Sequence, residues 1–163
     1  VYITENRKED GLFLDYNIRQ NIAATCLDQL KNGFALSRAK EDSLAQAYVE
    51  KIKIKVFSLE QLCSALSGGN QQKVLFAKWL TVDPKVLIID EPTRGIDVGV
   101  RLGIYRILRQ LCEDGVGVIV ISSDLPEVLG ICDRVVVMAE GRVTGELSAD
   151  EMTEEAVMRL ASV

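Results

Sequence analysis

The segment Leu66-Ser67-Gly68-Gly69-Asn70-Gln71-Gln72-Lys73 is the strongest signal in this chain, and the interpretation of the other residues depends on it. A serine followed by two glycines and a polar run predicts the start of a helix, with the Ser67 hydroxyl capping the first turn. The glycines let a ligand approach the backbone closely. The N–H groups and the positive dipole end of such a helix suit an anion, above all a phosphate.

A second segment, Lys85-Val86-Leu87-Ile88-Ile89-Asp90-Glu91-Pro92, follows it closely. Its apolar run has no polar alternation, which is typical of a strand buried on both faces in a parallel sheet. Asp90 and Glu91 stand at the carboxyl end of that strand, where ligands bind in open α/β sheets. An isolated acid pair could equally cap the following loop, but beside a phosphate-binding helix it predicts nucleotide chemistry.

These two segments resemble motifs of the ABC-transporter ATPases. Leu66 to Gln72 is similar to the signature motif, Val86 to Glu91 to the Walker B strand with its catalytic glutamate, and Thr93-Arg94-Gly95-Ile96-Asp97 to the D-loop. The residues of these motifs, with Asn70 where most such ATPases have glutamine, are most similar to those of the second, C-terminal ATPase domain of bacterial simple-sugar importers of the ribose, galactose and xylose type. The resemblance covers nearly the whole chain.

Composition sets limits on the function that agree with this resemblance. The 163 residues are 48% hydrophobic and 26% charged, as expected for one globular domain. A net charge of −5 without a basic block argues against a nucleic-acid binder. The longest apolar stretch, residues 116–121, is far shorter than the roughly 20 residues that span a bilayer. Histidine is absent, so any general base must be a carboxylate, and four scattered cysteines argue against zinc.

The resemblance implies an α/β fold, a P-loop NTPase-like core with a mostly parallel sheet flanked by helices. Residues 1–16 would form a strand and the Q-loop region, residues 17–80 an all-helical subdomain that carries the signature motif, and residues 81–163 the C-terminal part of the α/β core. No Gly-x-x-x-x-Gly-Lys-Ser/Thr segment, the Walker A loop, occurs in the chain. We therefore interpret the chain as a fragment whose N-terminal lobe, with Walker A, lies upstream of Val1.

Local patterns predict the elements within this plan. Ser58-x-x-Gln61 and Ser148-x-x-Glu151 match capping boxes and predict a brief helix to Cys63 and a last helix to about Ala161. Residues 51–56 alternate, which favours a short extended piece or a turn with its lysines outward. Further helices are predicted over residues 17–30, 37–51, 68–80, 97–113 and 124–130, and further strands over 1–4, 116–122, 134–138 and 142–147.

The resemblance assigns roles to the acid pair and to the signature. Asp90 would orient the Mg²⁺ shell through water, and Glu91 would polarise the water that attacks the γ-phosphate of ATP. Ser67, with its neighbours Gly68, Gly69, Asn70 and Gln71, would contact the triphosphate of an ATP held by another ATPase domain. Asp97 belongs to the D-loop. Glu5 takes the place of the Q-loop glutamine, although the run Glu5 to Asp10 equally suits a solvated charged loop.

One position departs from the family pattern in a way that affects mechanism. The switch histidine follows the strand after Walker B, and here that position is Ser123. A serine cannot hold the γ-phosphate as a charged imidazole can. The second domains of sugar importers share this departure, so Ser123 fits the resemblance and implies that this domain's own site hydrolyses ATP poorly, if at all. The isolated chain, without Walker A, is expected to be inactive.

The resemblance also implies the partners: a second ABC ATPase domain, either the N-terminal half of the same subunit or a dimer mate, membrane permease subunits, and indirectly a sugar-binding protein. No nucleic acid is expected, and the location would be peripheral, on the cytoplasmic face of the bacterial inner membrane. Three alternatives stay open at this point. They are an ABC importer ATPase for another solute such as a nucleoside or signal sugar, a non-transport ABC scaffold or regulatory module, and a natural nucleotide-free regulatory piece.

Overall fold

The computed structural model describes residues 1–162. It divides into two compact units, residues 1–119 and the residues from 120 onward. No helix in the described part is long and apolar enough to cross a membrane. In chain order, the elements up to the unit boundary are β1 (Tyr2–Ile3), α1 (Ile18–Ala23), β2 (Lys31–Asn32), β3 (Ala35–Leu36), α2 (Arg38–Ile52), α3 (Gly68–Leu80), β4 (Val86–Asp90), α4 (Val98–Glu113) and β5 (Gly117–Ile121).

A three-stranded sheet in the order β1-β4-β5 forms the core of the first unit. β1 runs parallel to β4, with Ile3 opposite Ile89. Ile3, Leu87 and Ile89 are buried, whereas Val86 is 47% exposed. The prediction that this strand is buried on both faces is therefore wrong for Val86. Successive side chains of a strand point to opposite faces, and here only the face with Leu87 and Ile89 is packed.

The helices α1, α2 and α3 pack against one another around buried aliphatic side chains. α1 begins after a capping box of Asn17 and Gln20, and Ser37 caps α2, so both helices start where they are predicted. Arg19 of α1 is buried and pairs with Glu41 of α2 and with Glu60, at 3.2 Å, in the loop before the signature. This network ties the loop that leads to α3 to the first two helices.

The region of residues 17–80 differs from its predicted pattern in two places. The helix predicted over residues 17–30 ends at Ala23, and a 3-10 turn, Leu27–Leu30, leads into the short hairpin of β2 and β3. The helix predicted from Ser58 is absent, because Ser58 and Gln61 make turn hydrogen bonds and only a 3-10 turn, Cys63–Ala65, follows. Residues 51–56 end α2 with Ile52 and Ile54 buried and the lysines outward, as predicted.

The second unit contains α5 (Leu125–Ile131), β6 (Arg134–Ala139), β7 (Arg142–Ser148) and α6 (Glu154–Ala161). β6 and β7 form the predicted antiparallel hairpin, with both turn residues, Glu140 and Gly141, at positive φ. The prediction that Ser148 begins the last helix is wrong. Ser148 and Glu151 bond to each other within a turn, and Thr153 caps α6 through the N–H of Ala156.

Candidate functional site

The N-terminus of α3, residues 67–70, is called here the α3 tip. Ser67 occupies the N-cap position, but its side chain makes no capping hydrogen bond, so that part of the prediction is wrong. Its Oγ instead accepts from Nδ2 of Asn70 at 3.2 Å. Ser67 is exposed. The first N–H groups of a helix have no intrahelical acceptor, and together with the helix dipole they make the tip suited to an anion.

The two glycines of the tip are also required by packing within the chain. A Cβ on Gly68 would lie 2.8 Å from Nη2 of Arg7 and 3.1 Å from the carbonyl oxygen of Gly95. A Cβ on Gly69 would lie 2.5 Å from Cγ1 of Val100, on α4. Close approach of the backbone to a ligand is therefore not the only reason for glycine at these positions. α4 and the loop before it press directly on the tip.

The next two residues are placed differently from one another. Asn70 is half-buried and accepts at Oδ1 from the backbone N–H of Lys55 at 3.0 Å. Gln71 is only 5% exposed and donates through Nε2 to the carbonyl of Cys63 at 3.2 Å. The structure thus brings Asn70 to Ser67 and places the Gln71 amide in the interior. Burial also raises the pKa of the neighbouring Cys63 thiol to about 11, so this thiol stays protonated.

The acid pair lies at the carboxyl end of β4, as predicted. Oδ2 of Asp90 accepts from the hydroxyl of Tyr2, on the neighbouring strand β1, at 3.1 Å. This hydrogen bond raises the pKa of Tyr2. Glu91 has a φ of +47°, in the left-handed region that is uncommon for a residue with a side chain. The strand alternation ends there, and the chain turns at Glu91.

The loop after the acids, residues 93–97, is the candidate D-loop. Thr93 is buried, and the turn continues through the hydrogen bonds from Arg94 N–H to the Glu91 carbonyl and from Ile96 N–H to the Thr93 carbonyl, both 3.1 Å. Asp97 is exposed at the N-cap of α4, and its side chain makes no capping bond to that helix. The loop therefore joins the acid pair to the helix that packs on Gly69.

The segment after β1 clamps this loop. Glu5 forms an ion pair with Arg94. The Arg7 guanidinium donates to the carbonyls of Arg94, at 2.8 Å, and Gly95, at 3.4 Å. Burial lowers the pKa of Arg7, and its Nε is buried without a hydrogen-bond partner among the described residues. Arg7 was not among the predicted site residues, because the run from Glu5 to Asp10 is charged enough to suit solvent. It contains a π-helical turn, Arg7–Gly11.

Ser123, the predicted switch position, lies in the second unit. It is exposed in the bend between β5 and α5, and Asp124 caps α5 through the N–H of Glu127 at 3.3 Å, as predicted. The structure therefore brings Glu5, Gly68 and Gly69 together with the D-loop in the first unit, with Ser67 exposed beside them at the N-cap of α3. The role of Ser123 stays a prediction.

Comparison with known sequences identifies the family. The family model described as ABC transporter matches residues 2–94. The ribose import ATP-binding protein RbsA 2 of Rhizobium meliloti (strain 1021) is 52% identical over 162 residues, which are 99% of this chain and 32% of that protein. The L-arabinose transport ATP-binding protein AraG of Geobacillus stearothermophilus is 50% identical over 160 residues, 98% of this chain and 31% of that protein. The chain thus spans about a third of the length of these curated relatives.

Comparison with solved structures supports the fold. A dimeric post-hydrolysis state of the ATP-binding cassette MJ0796, bound to ADP and Pi, aligns with a TM-score of 0.73 at 22% identity. A dimeric structure of MJ0796 described as a bacterial ABC transporter cassette aligns with a TM-score of 0.74 at 23% identity. Each alignment covers 91% of this chain and 62% of the other chain. On the matched family model, the close relatives and this fold, the chain belongs to the ABC transporter family.

Proposed function

We propose that this chain is the second ATPase domain of the ATP-binding subunit of a bacterial ABC importer that takes up a simple sugar such as ribose. The support is its identity of about half with proteins named for ribose import and L-arabinose transport. The α3 tip would close over the triphosphate of an ATP held by another ATPase domain. That other domain would hold its ATP with its own Walker A loop.

The state of the Ser67 hydroxyl supports this proposal most directly. In an ordinary N-cap, a serine side chain satisfies one of the first N–H groups of its own helix. Here Ser67 makes no such bond, and it is exposed at the tip of a 13-residue helix. The hydroxyl and the first-turn N–H groups can then converge on an oxygen of a phosphate. Phosphoryl transfer depends mainly on such positioning and charge stabilisation.

The acid pair, Asp90 and Glu91, would serve the ATP site of this domain itself. Asp90 has one carboxylate oxygen bonded to the neutral Tyr2 hydroxyl, which leaves the other able to orient a water of a Mg²⁺ shell. Glu91, at the turn, would polarise the attacking water at this domain's own site. Bound Mg²⁺ would supply neutralisation of the phosphate charge. With Ser123 at the switch position, we propose that this second site contributes little turnover.

The same proposal implies the surroundings of the protein. The domain would work with a second ATPase domain and with membrane permease subunits, and indirectly with a sugar-binding protein. It would sit peripherally on the cytoplasmic face of the bacterial inner membrane. Glu5, which pairs with Arg94 of the D-loop, and Asp97, the last residue of that loop, would contribute to the nucleotide-facing surface.

A substitution at the tip tests the proposal in the longer subunit, reconstituted with its permease in liposomes. Ser67→Arg should reduce ATP-driven ribose uptake to near background, because the bulky side chain blocks the approach of the phosphate. Ser43→Arg, at an exposed serine on α2, is the matched control and should leave uptake unchanged. Uptake by the Ser67→Arg protein at the rate of the unsubstituted protein would contradict the proposal.

The same uptake assay with L-arabinose distinguishes between two candidate solutes. The AraG relative is named for L-arabinose transport, and its identity is almost that of the ribose relatives. Uptake of L-arabinose but not of ribose would assign the importer to arabinose. That result would leave the role of the α3 tip unchanged, because the tip faces nucleotide in either case.

A further inference from the structure

The side chain of Asn70 lies between two other groups of the α3 region. Its Oδ1 accepts from the backbone N–H of Lys55 at 3.0 Å, and its Nδ2 donates to Oγ of Ser67 at 3.2 Å. Asn70 is half-buried, whereas Ser67 is exposed. The amide therefore connects a fixed backbone donor on one side to the exposed hydroxyl on the other.

The backbone partner determines which way the Asn70 amide is turned. A backbone N–H can only donate, so the Asn70 atom facing Lys55 must be the acceptor Oδ1. Nδ2 must then face Ser67, and because an amide nitrogen only donates, Oγ of Ser67 must accept. A hydroxyl has a single hydrogen, so the Ser67 O–H is left to donate to a group other than Asn70.

The Lys55 N–H is itself held in place by packing. Ile54, the preceding residue, is 6% exposed, and its N–H bonds the carbonyl of Val49 at 2.9 Å. Lys73, one turn beyond Asn70 on α3, donates through Nζ to the carbonyl of Lys53 at 2.9 Å. Two bonds from the same face of α3 thus hold residues 53–55 against the helix, and the orientation of the Asn70 amide follows from this packing.

We propose that Asn70 is a positioning residue that fixes Ser67 as a hydrogen-bond donor toward an anionic phosphate oxygen. This inference rests on the proposed function and deepens it, since it assigns Asn70 to the orientation of Ser67 instead of to its own contact with ATP. Glutamine at this position would carry its amide one methylene farther out and would not reproduce both bonds.

Aspartate at position 70 reverses the hydrogen-bond direction without removing the acceptor for Lys55. In Asn70→Asp, the Lys55 N–H keeps a carboxylate oxygen, but the group facing Ser67 can no longer donate. The Ser67 O–H then donates to the new carboxylate and is withdrawn from the phosphate. Asn70→Ala removes the orientation without adding a charge, so the pair of variants separates the two effects.

The experiment is a double-mutant cycle in the longer subunit, reconstituted with its permease and assayed for ATP hydrolysis as kcat/KM. We expect Ser67→Ala to lower kcat/KM by about 10- to 100-fold, the effect of one lost hydrogen bond to a charged group. Asn70→Ala should cause a smaller loss, and Asn70→Asp a larger one. In the Ser67→Ala background, Asn70→Ala should cause no further loss.

The experiment has a control variant, and the results that would contradict the two proposals differ from each other. Asn32→Ala, at an exposed position of the β2–β3 hairpin, should leave kcat/KM unchanged, and equal thermal midpoints for all variants would exclude misfolding. Equal losses from Asn70→Ala in both backgrounds would show that Asn70 acts independently of Ser67 and would overturn this inference alone. Unchanged kcat/KM in Ser67→Ala would overturn the proposed function together with it. Should Asn70→Ala not fold, Asn70→Asp in both backgrounds decides the same question, because it keeps the Lys55 bond.

Discussion

The α3 tip and the end of β4 are built in different ways. The tip is supported by its own chain and leaves Ser67 exposed: Arg7 and Gly95 lie against Gly68, Val100 lies against Gly69, and Asn70 bonds Ser67. At the strand end, Glu91 adopts a left-handed backbone conformation and Asp90 accepts a hydrogen bond from Tyr2. The sheet face that carries Val86 is not packed, and Val86 is half exposed. The tip is thus organised within this chain before any ligand arrives, whereas Ser123 stands where the switch histidine of the strand-end site would be. We infer that the main contribution of this domain is its tip.

The largest expected effect is the difference in transport activity between a variant of the α3 tip and a variant of the strand end. Ser67→Arg should lower ATP-driven uptake by the longer subunit more than about tenfold, since the bulky side chain blocks the approach of the phosphate and the Ser67 hydroxyl is lost. Glu91→Gln should cause a much smaller loss, because Ser123 stands where the switch histidine would be. Initial rates of uptake into liposomes measure both. A Glu91→Gln loss as large as that of Ser67→Arg would mean that the strand end is the more important site.

Packing on the tip gives the next effect. In Gly69→Ala, the new Cβ would lie 2.5 Å from Cγ1 of Val100, so α3 and α4 must separate. We expect the free energy of unfolding to fall by about 1–3 kcal/mol, as for overpacked cores. Urea unfolding followed by circular dichroism measures it. Gly99→Ala is the matched control, because nothing lies within 4 Å of its Cβ, and Val100→Ala should rescue Gly69→Ala. No loss in Gly69→Ala would mean that the glycine is kept for ligand approach alone.

Two contacts hold the D-loop against the segment after β1: the half-buried Arg7 guanidinium and the exposed ion pair of Glu5 with Arg94. Arg7→Met removes two bonds to backbone carbonyls and should lower the free energy of unfolding by about 1–3 kcal/mol. Glu5→Gln removes only the ion pair between Glu5 and Arg94, whose two side chains are both exposed. This variant should change the free energy of unfolding by about 0–1 kcal/mol. A loss in Glu5→Gln as large as that in Arg7→Met in urea unfolding would show that the ion pair stabilises the loop as much as Arg7 does.

Motif order and helix periodicity are sufficient for the main elements, because the apolar face of a helix and the apolar run of β4 are properties of residues close together in sequence. Capping signals were less reliable. Ser148 donates through its N–H and its hydroxyl to the Glu151 carboxylate, but Glu151 N–H bonds the Ser148 carbonyl, so the residues form a turn and the helix begins at Glu154. Ser58 and Gln61 also form a turn, in which Gln61 N–H bonds the Ser58 carbonyl.

Long-range contacts could not be predicted from local patterns. Arg7 reaches the carbonyl of Arg94 across 87 residues, and a charged run such as Glu5 to Asp10 carries no mark of that partner. Ser67 was expected to cap its own helix, and only the fold brings the Lys55 N–H to Asn70 and so turns the Asn70 amide toward Ser67. The glycines were predicted for ligand access, but the position of Val100 depends on the packing of α4.

The smallest expected effect concerns the strand end and depends on pH. The bond to Asp90 raises the pKa of Tyr2, so its stabilising contribution is complete below the ordinary tyrosine pKa of about 10 and is lost as pH rises through the raised value. In ultraviolet difference titration, Asp90→Asn should bring one of the four tyrosines to ionise at lower pH. Tyr2→Phe should abolish that shift. An unchanged titration in Asp90→Asn would mean that the two side chains do not bond in solution.

The central claim is that the α3 tip faces the γ-phosphate of an ATP held by another domain. Photolabelling of the longer subunit with an ATP analogue that carries a photoreactive group on its γ-phosphate tests it directly. Peptide mapping should place the label on residues 67–70, and inactivating the Walker A loop of the other domain should remove that label. Labelling that avoids residues 67–70, or that persists when the other Walker A loop is inactive, would contradict the claim.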